Sequence, residues 1–325
     1  MKFCIVGAGA IGGYMGAKLA LAGEEVTLIA RGAHLAAIQQ NGLKLVMKDG
    51  SEQLITNARA TADMAEAGPQ DVVIVALKAH SLPALAPAMR QLYGPETMVV
   101  AAQNGIPWWY FRGLDSPFKE YRLKSVDPDG VIEENMEVSR VIGCVVYPAA
   151  EISAPGVIRH IEGDRFSIGE IDGSKSDRIK QLSQTLTRAG LKAPVRSNIR
   201  SEIWIKLWGN LAFNPISALT RSLLSDITAF TLTRELARQM MTEAQAIATK
   251  LGVDFGISLE QRIEGAASVG AHKTSMLQDI ETGRPTEVDA IVGAVAELGR
   301  LTGTPTPYID ALYACVKLLE KTVVN

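Results

Sequence analysis

The chain has 325 residues, which is more than one ordinary hydrophobic core accommodates and therefore predicts two domains. Hydrophobic residues make up 47% of it and charged residues 21%, a composition that is typical of globular proteins and excludes a largely disordered one. A net charge of −2 and a pI of about 6.2 do not favour nucleic acid as a partner, and no run of about 18 apolar residues predicts a membrane span.

The spacing of the cysteines and histidines does not indicate a metal site. Cys4, Cys144 and Cys315 lie far apart in the sequence, and the four histidines form no motif with metal-ligand spacing. Cysteines used singly favour a reducing, cytoplasmic location. The N-terminal residues also lack the apolar core and cleavage site of a secretory signal.

The first thirty residues predict a dinucleotide-binding unit. An apolar strand at 2–6 leads into the sequence G-A-G-A-I-G, a helix follows to Leu21, and a second strand is predicted at 25–30. Gly7 would permit a tight turn, Gly9 would let a pyrophosphate approach the backbone, and Gly12 would let helix and strand pack closely. The phosphates would lie at the helix N-terminus, where free N–H groups favour anions. The motif residues predicted to hold the cofactor are Gly7, Ala8, Gly9, Ala10, Ile11 and Gly12.

Polar residues follow three of the predicted strands, where doubly wound sheets bind ligands. The second strand ends without the Asp or Glu that would accept from the 2′-hydroxyl of NAD, and Arg31 lies there instead. A guanidinium group suits a 2′-phosphate, so the predicted cofactor is NADP(H). Lys78 follows the strand at 71–77, and Asn104 follows the strand at 97–102. An ordinary surface arginine and a solvated lysine remain the alternatives for Arg31 and Lys78.

The middle of the chain contains an unusual aromatic segment. Residues 108–111 read Trp-Trp-Tyr-Phe, and about twenty-five irregular polar residues follow. An exposed lid or a subunit contact would explain this segment, and a local apolar core is the alternative. Farther along, alternating polarity predicts an antiparallel hairpin of 157–161 with 165–168, and 175–189 predicts an amphipathic helix.

The last 130 or so residues read as helices without a convincing strand. The chain is therefore predicted to be an α/β protein. An N-terminal Rossmann-type dinucleotide-binding domain (1–197) precedes an all-helical C-terminal domain (198–325), with the active site in the cleft between them. The predicted helices span 198–214, 231–251, 258–271, 286–302 and 307–320.

The first of these helices combines an apolar character on all sides with one line of polar residues. A four-residue spacing stacks their side chains along the helix. Unpaired polar groups are costly to bury, so the line predicts a ligand-facing wall with Lys206 at its centre. A solvent-facing edge and an internal hydrogen-bond ladder are the alternatives. The line consists of Asn198, Glu202, Lys206, Asn210 and Asn214.

A second polar set lies at 273–289. Ser275 and Thr286 are predicted to cap the N-termini of helices, because a side-chain oxygen there can accept from free backbone N–H groups. Glu287 would lie in a first helical turn, where the helix dipole alone can explain an acidic residue.

These residues together resemble the ketopantoate reductase (2-dehydropantoate 2-reductase) family over nearly the whole chain. The distinctive blocks are N-I-R-S-E-I-W-I-K-L at 198–207, S-M-L-Q-D-I at 275–280 and R-P-T-E-V-D at 284–289. The glycine motif is shared by many dehydrogenases and adds little. The sequence departs from the family pattern after Asn104-Gly105, which leaves the identity of the substrate open.

The resemblance implies NADPH-dependent reduction of the 2-keto group of ketopantoate to pantoate, a step towards pantothenate and coenzyme A. It also implies that Lys206 is the general acid and that Glu287 helps to orient the substrate and Lys206. Asn104, Asn210, Asn214 and Ser275 would hold the substrate. The glycine motif, Arg31, Lys78 and Asn104 would hold NADPH.

The chemistry fits these residue types, because hydride addition to a ketone builds negative charge on an oxygen that an ammonium group can stabilise and protonate. Two other hypotheses stay open. The protein could reduce another 2-keto acid or act as an opine-type dehydrogenase, or it could sense NADPH and bind a protein without turnover. The expected partner is a small 2-keto acid rather than nucleic acid or membrane, and a homodimer is a candidate assembly.

Overall fold

The computed structural model of the protein describes residues 1–323. The last two residues of the predicted second domain, 324 and 325, lie outside the described residues. The chain divides into two compact units. The predicted boundary after residue 197 and the predicted cleft site stay predictions. Unit 1 consists of Met1–Gln103, Phe111–Tyr121 and Gly130–Ile199, and unit 2 consists of Asn104–Tyr110, Arg122–Asp129 and the chain from Arg200 onwards.

Unit 1 contains all the strands of the described chain. They are β1 (Lys2–Val6), β2 (Glu25–Ile29), β3 (Leu43–Val46), β4 (Glu52–Ile55), β5 (Arg59–Thr61), β6 (Gln70–Val75), β7 (Tyr93–Ala101), β8 (Val141–Val146), β9 (Ala149–Ala154), β10 (Val157–Glu162) and β11 (Phe166–Glu170).

Seven of these strands form the main sheet, in the order β11-β8-β7-β6-β1-β2-β5. All neighbouring pairs are parallel except β8 with β11. Strands such as β1 and β8 are almost continuously apolar, because helices cover both faces of a parallel sheet. The order reverses at β1, with β2 on one side and β6 on the other, which is the topology of doubly wound dinucleotide-binding sheets.

The remaining strands form a smaller sheet, in the order β4-β3-β10-β9. In it, β10 pairs antiparallel with β9 and parallel with β3, whereas β11 pairs with β8 in the main sheet. The predicted hairpin of 157–161 with 165–168 is therefore wrong. Alternating polarity indicates that a strand buries one face, and it does not identify the strand that pairs with it.

The helices of unit 1 are α1 (Ala10–Leu21), α2 (Gly32–Asn41), α3 (Met64–Ala67), α4 (Leu82–Met89), α5 (Val131–Asn135) and α6 (Asp177–Arg188). The predicted amphipathic helix at 175–189 is confirmed as α6. It begins where the Ser176 hydroxyl accepts from the N–H of Ile179 at 3.3 Å.

Unit 2 is helical over residues 200–323. Its helices are α7 (Ile199–Thr220, with its first residue in unit 1), α8 (Leu224–Ala229), α9 (Thr231–Lys250), α10 (Leu259–Ser268), α11 (Ser275–Glu281), α12 (Ala294–Leu301) and α13 (Pro307–Val323). A π-helical turn, Asp289–Gly293, leads into α12. The predicted order of a Rossmann-type α/β sheet followed by helices is confirmed.

The predicted stop of one helix and the predicted cap of another differ from the structure. The helix predicted to stop at Asn214 continues through Pro215 to Thr220, because buried apolar residues extend beyond the proline and offset the backbone hydrogen bond that it removes. Ser275 does not cap α11. That place belongs to Thr274, whose hydroxyl accepts from the N–H of Leu277 at 3.3 Å. From residue 1 to residue 323, every helix is too short or too polar to cross a lipid bilayer.

Candidate active site

The glycine motif of unit 1 forms a tight turn between β1 and α1. Gly7 has a φ of +96°, and its N–H donates to the carbonyl of Ile29 at 3.3 Å. A methyl group on Gly12 would overlap the carbonyl oxygen of Gly7, so α1 can approach the turn only because Gly12 has no side chain. Around Gly9, in contrast, no heavy atom of a residue beyond its chain neighbours lies within 4 Å of the position of a Cβ. The turn therefore fits a pyrophosphate group, which needs a close approach to the backbone there.

The other motif residues lie beside this open space. Ala8 is buried, whereas Ala10 and Ile11, which begin α1, are half-buried. The first turn of α1 contains no acidic residue, and its N-cap, Gly9, has no side chain that could accept from the free backbone N–H groups. The helix N-terminus is thus suited to an anionic ligand.

Arg31 and Lys78 lie at the same edge of the sheet as the glycine motif. In the pairing of the central strands, Ile29 and Val75 are both partners of Val6, so the three strands end in one row. Arg31 is two residues beyond this row and exposed, and Lys78 is three residues beyond it and half-buried. The structure therefore brings the residues predicted to hold the cofactor in unit 1 to one edge.

His34 joins this group although the sequence did not single it out. Its Nδ1 accepts from the N–H of Gly156 at 3.0 Å, so Nε2 carries the proton and donates to the carbonyl of Ala8 at 2.9 Å. Burial lowers the pKa of His34 below its ordinary 6.5, although the bond to Ala8 acts in the opposite direction. The neutral imidazole thus ties the glycine turn to α2 and to the residue before β10. Its position three residues after Arg31 was the only sequence signal.

Three of the predicted residues meet in unit 2. The ammonium group of Lys206 donates to Oδ1 of Asn104, and Nδ2 of Asn104 donates to Oε2 of Glu287 at 3.4 Å. Only one orientation of the amide satisfies both partners, with its oxygen towards the ammonium and its nitrogen towards the carboxylate. Glu287 is 8% exposed, and Lys206 and Asn104 are half-buried. A proton donor, an amide and a carboxylate thus form one hydrogen-bonded chain.

The polar line of α7 runs from the surface into the interior. Asn198 is exposed, Lys206 and Asn210 are half-buried, and Asn214 is buried. Within residues 1–323, the side chains of Asn210, Asn214 and Ser275 have no hydrogen-bond partner. Ser275 is exposed at the start of α11, and no hydrogen bond connects it to Lys206, Asn104 or Glu287. The predicted substrate residues thus divide into two groups. Asn104 is hydrogen-bonded to Lys206 and Glu287, whereas the polar groups of the other three are available to a ligand.

The aromatic side chains at 108–111 are buried, which favours the alternative of an apolar core over the exposed aromatics that a lid or a subunit contact would explain. Trp109 is 1% exposed, and the Nε of Arg200 donates to the carbonyl of Tyr110 at 2.7 Å. The indole N–H of Trp204 donates to the hydroxyl of Tyr110, also at 2.7 Å. Burial raises the pKa of Tyr110 to about 12, so this hydroxyl stays neutral. These partners were not predictable from a local pattern, because 90 and 94 residues separate the bonded pairs.

The polar residues after this segment are also held in place. In unit 1, Arg112 makes a bidentate ion pair with Glu133, at 2.5 and 2.9 Å. In unit 2, the backbone N–H groups of Lys124 and Ser125 both donate to the buried carboxylate of Glu297 at 2.8 Å. In the described chain, no group of three or more His, Cys, Asp or Glu side chains is placed to bind a metal ion.

Comparison with known proteins gives consistent matches along the chain. Residues 3–173 match the family described as ketopantoate reductase PanE/ApbA, and residues 198–320 match the family described as its C-terminal part. A 2-dehydropantoate 2-reductase from Mesorhizobium japonicum is 57% identical over 320 residues, 98% of each chain. A 2-dehydropantoate 2-reductase from Pyrococcus horikoshii is 32% identical over 98% of each chain.

The fold has a solved counterpart of similar size. A crystal structure from Ralstonia solanacearum, described as that of a candidate ketopantoate reductase, superposes with a TM-score of 0.94. The two sequences are 44% identical, and the match covers 99% of this chain and 98% of that one. A 2-dehydropantoate 2-reductase from Geobacter metallireducens gives a TM-score of 0.85 at 27% identity, with 99% of each chain covered.

Proposed function

The chain belongs to the ketopantoate reductase family, and from that membership we propose that it reduces the 2-keto group of ketopantoate to the hydroxyl group of pantoate with NADPH. It is an oxidoreductase acting on CH–OH donors. The observation that carries the proposal is the hydrogen-bonded chain of Lys206, Asn104 and Glu287. Pantoate leads towards pantothenate and coenzyme A.

The residues of unit 1 fit the cofactor that this reaction requires. Ketopantoate reductases use NADPH, which supplies the hydride when bound. The open space at Gly9 and the N-terminus of α1 would hold its pyrophosphate. Arg31 would hold the 2′-phosphate with a permanently charged planar group, and Lys78 would add a second positive charge at the same edge.

Lys206 would donate the proton. As the ketone becomes an alkoxide, a nearby ammonium group stabilises the growing charge and then protonates the oxygen. Asn104 orients this ammonium by accepting one of its three N–H groups, and Glu287 fixes the amide from the other side. Glu287 therefore acts on Lys206 through Asn104.

Asn104, Asn210, Asn214 and Ser275 would hold the substrate. Their amide and hydroxyl groups can donate to a carboxylate and accept from a hydroxyl group without adding a charge that competes with Lys206. This role is supported by the side chains of Asn210, Asn214 and Ser275, which have no hydrogen-bond partner in the described chain. A buried amide such as that of Asn214 gains most from such a partner.

The proposal is tested by following NADPH oxidation with a panel of 2-keto acids, each with and without added amines. Ketopantoate is expected to give the highest kcat/KM in the absence of amines. A higher value with another keto acid would replace the substrate, and a dependence on amines would indicate an opine-type dehydrogenase. NADPH binding without turnover of any acid would leave the sensor hypothesis.

The assembly and the location are proposals of the same kind. We propose a homodimer that covers Phe230 and Leu232, which are 59% and 71% exposed. Light scattering should give the mass of two chains, and Leu232→Ser should reduce it towards that of one. A cytoplasmic location is supported by the three free cysteines, Cys4, Cys144 and Cys315, and cell fractionation tests it.

A further inference from the structure

We infer that a backbone junction between Gly105-Ile106 and the π-helical turn Asp289–Gly293 is a positioning device that sets the Asn104 amide between Lys206 and Glu287. The inference rests on the proposed function and deepens it, because it assigns a role in the reaction to residues that have no reactive side chain. All the residues concerned belong to unit 2.

The first part of the junction is the π-helical turn. The N–H of Ile291 donates to the carbonyl of Glu287, four residues back, at 3.0 Å. The N–H of Ala294 instead donates to the carbonyl of Asp289, five residues back. The helix thus widens within one turn of Glu287. Such turns are rare and are frequently found at functional sites.

The second part is the use of one carbonyl group in this turn. The carbonyl of Ala290 accepts from the N–H of Ile106 at 2.9 Å, so it serves a loop outside its own helix. Both Ala290 and Ile106 are buried, where a broken backbone hydrogen bond is costly. The bond therefore fixes the loop that follows Asn104 to the helix that follows Glu287.

The third part is the absence of a side chain at Gly105. Its φ is +87°, and a methyl group there would overlap the carbonyl oxygen of Ala290. The same methyl group would lie 2.6 Å from the carbonyl carbon and 2.9 Å from the Cβ of Ala290. Neither the backbone conformation nor the space suits any residue with a Cβ. The close approach that forms the bond to Ile106 thus depends on glycine.

These three features together set the distance between the side chains of Asn104 and Glu287. Asn104 immediately precedes Gly105, and Glu287 lies three residues before Ala290. Their hydrogen bond is 3.4 Å long, near the limit for such a bond, so a small shift of the loop breaks it. A shifted Asn104 would then no longer accept from Lys206, and the ammonium group would lose a partner that orients it.

Gly105→Ala is the direct test, with Gly303→Ala as a matched control. Gly303 also has a positive φ, of +60°, and a methyl group there would meet no atom within 4 Å. Both variants introduce backbone strain, but only Gly105→Ala displaces Asn104. We expect kcat to fall about 10- to 100-fold in Gly105→Ala, with the Kd of NADPH unchanged and Gly303→Ala close to wild type.

A mutant cycle separates positioning from general damage to the fold. If Gly105 acts through Asn104, then Gly105→Ala should lower kcat no further in an Asn104→Ala background. Full additivity of the two substitutions would overturn the inference, as would a wild-type kcat in Gly105→Ala. If wild-type protein turns over no keto acid, the proposed function fails instead. A crystal structure of Gly105→Ala then decides the inference, because an unchanged Asn104–Glu287 bond would refute it.

Discussion

Thr286 donates both its backbone N–H and its hydroxyl group to one carboxylate oxygen of Glu320, at 2.6 and 2.7 Å. Three residues later, Asp289 accepts from the hydroxyl of Tyr313 at 2.6 Å and from Lys317 at 3.0 Å. α13 therefore holds the chain on both sides of Glu287. The carboxylate that contacts Asn104 is supported by a helix that contributes no residue to the proposed chemistry.

Replacing Glu320 should therefore lower activity from a distance. We expect Glu320→Ala to reduce kcat about tenfold, because the turn at Thr286 loses two charge-assisted hydrogen bonds. Glu320→Gln should give a smaller loss, since its amide oxygen still accepts. Steady-state kinetics check this, with Glu235→Ala, a substitution on the exposed face of α9, as the control. Equal kcat in Glu320→Ala and wild type would remove Glu320 from the support of Glu287.

Lys206→Ala should lower kcat/KM for the keto acid about 10²- to 10⁴-fold, the usual contribution of a general acid. Lys206→Arg should recover little, because a guanidinium group keeps the charge but does not release a proton near neutral pH. The Kd of NADPH, measured by fluorescence, should stay the same in both variants. Lys180→Ala is the matched control, since Lys180 pairs with Asp177 on the surface of α6. Undiminished turnover by Lys206→Ala would exclude Lys206 as the proton donor.

Arg31→Ala should weaken NADPH binding and leave NADH binding almost unchanged. Hydrogen bonds to a charged group contribute about 1.5–3 kcal/mol, so we expect the Kd of NADPH to rise about 10- to 100-fold. Titration of the intrinsic fluorescence with each cofactor measures the change. Arg188→Ala, at a position that is 71% exposed on α6, serves as the control. If both cofactors lose affinity equally, Arg31 does not read the 2′-phosphate.

His34 should make the stability of the fold depend on pH. Its pKa is lowered by burial in the folded protein, so the unfolded imidazole takes up a proton near pH 6.5 while the folded one remains neutral. Its contribution to stability is therefore complete above pH 6.5 and is lost as the pH falls below that value. His34→Gln keeps a donor and an acceptor without titrating.

Thermal unfolding at pH 7.5 and pH 5.5 tests this expectation. The fall in Tm between the two values should be smaller for His34→Gln than for wild type. An identical fall in both proteins would show that the bonds of His34 to Ala8 and Gly156 do not depend on its neutral form.

The sequence predicted the parts of the site that depend on local pattern. The glycine spacing identified the turn after β1, and a four-residue period placed Lys206 on the polar line of α7. The hydrogen bonds that join Asn104, Lys206 and Glu287 were not predictable in this way, because 102 and 183 residues separate the bonded pairs. The resemblance to a family supplied their roles, and the structure supplied their geometry.

The failures have the same physical origin. The sequence left open whether the aromatic run at 108–111 is exposed or buried, because its partners Arg200 and Trp204 are remote in sequence. The junction at Gly105 left no signal, since it consists of backbone atoms and an absent side chain. A single sequence shows which residues need burial or a partner. It does not show which distant residue meets that need.

Unit 2 is built from three separate segments of the chain, which has a practical consequence for anyone who divides the gene. A fragment that begins at residue 198 would retain Lys206 and Glu287 but lose Asn104, and it would leave Arg200 and Trp204 without Tyr110. Such a fragment would expose apolar surface and contain Lys206 without the amide to which it donates. The two halves of this protein are therefore poor modules for exchange between relatives. A simple fusion at that point would take the segment Asn104–Tyr110 from one parent and the helices that it contacts from the other.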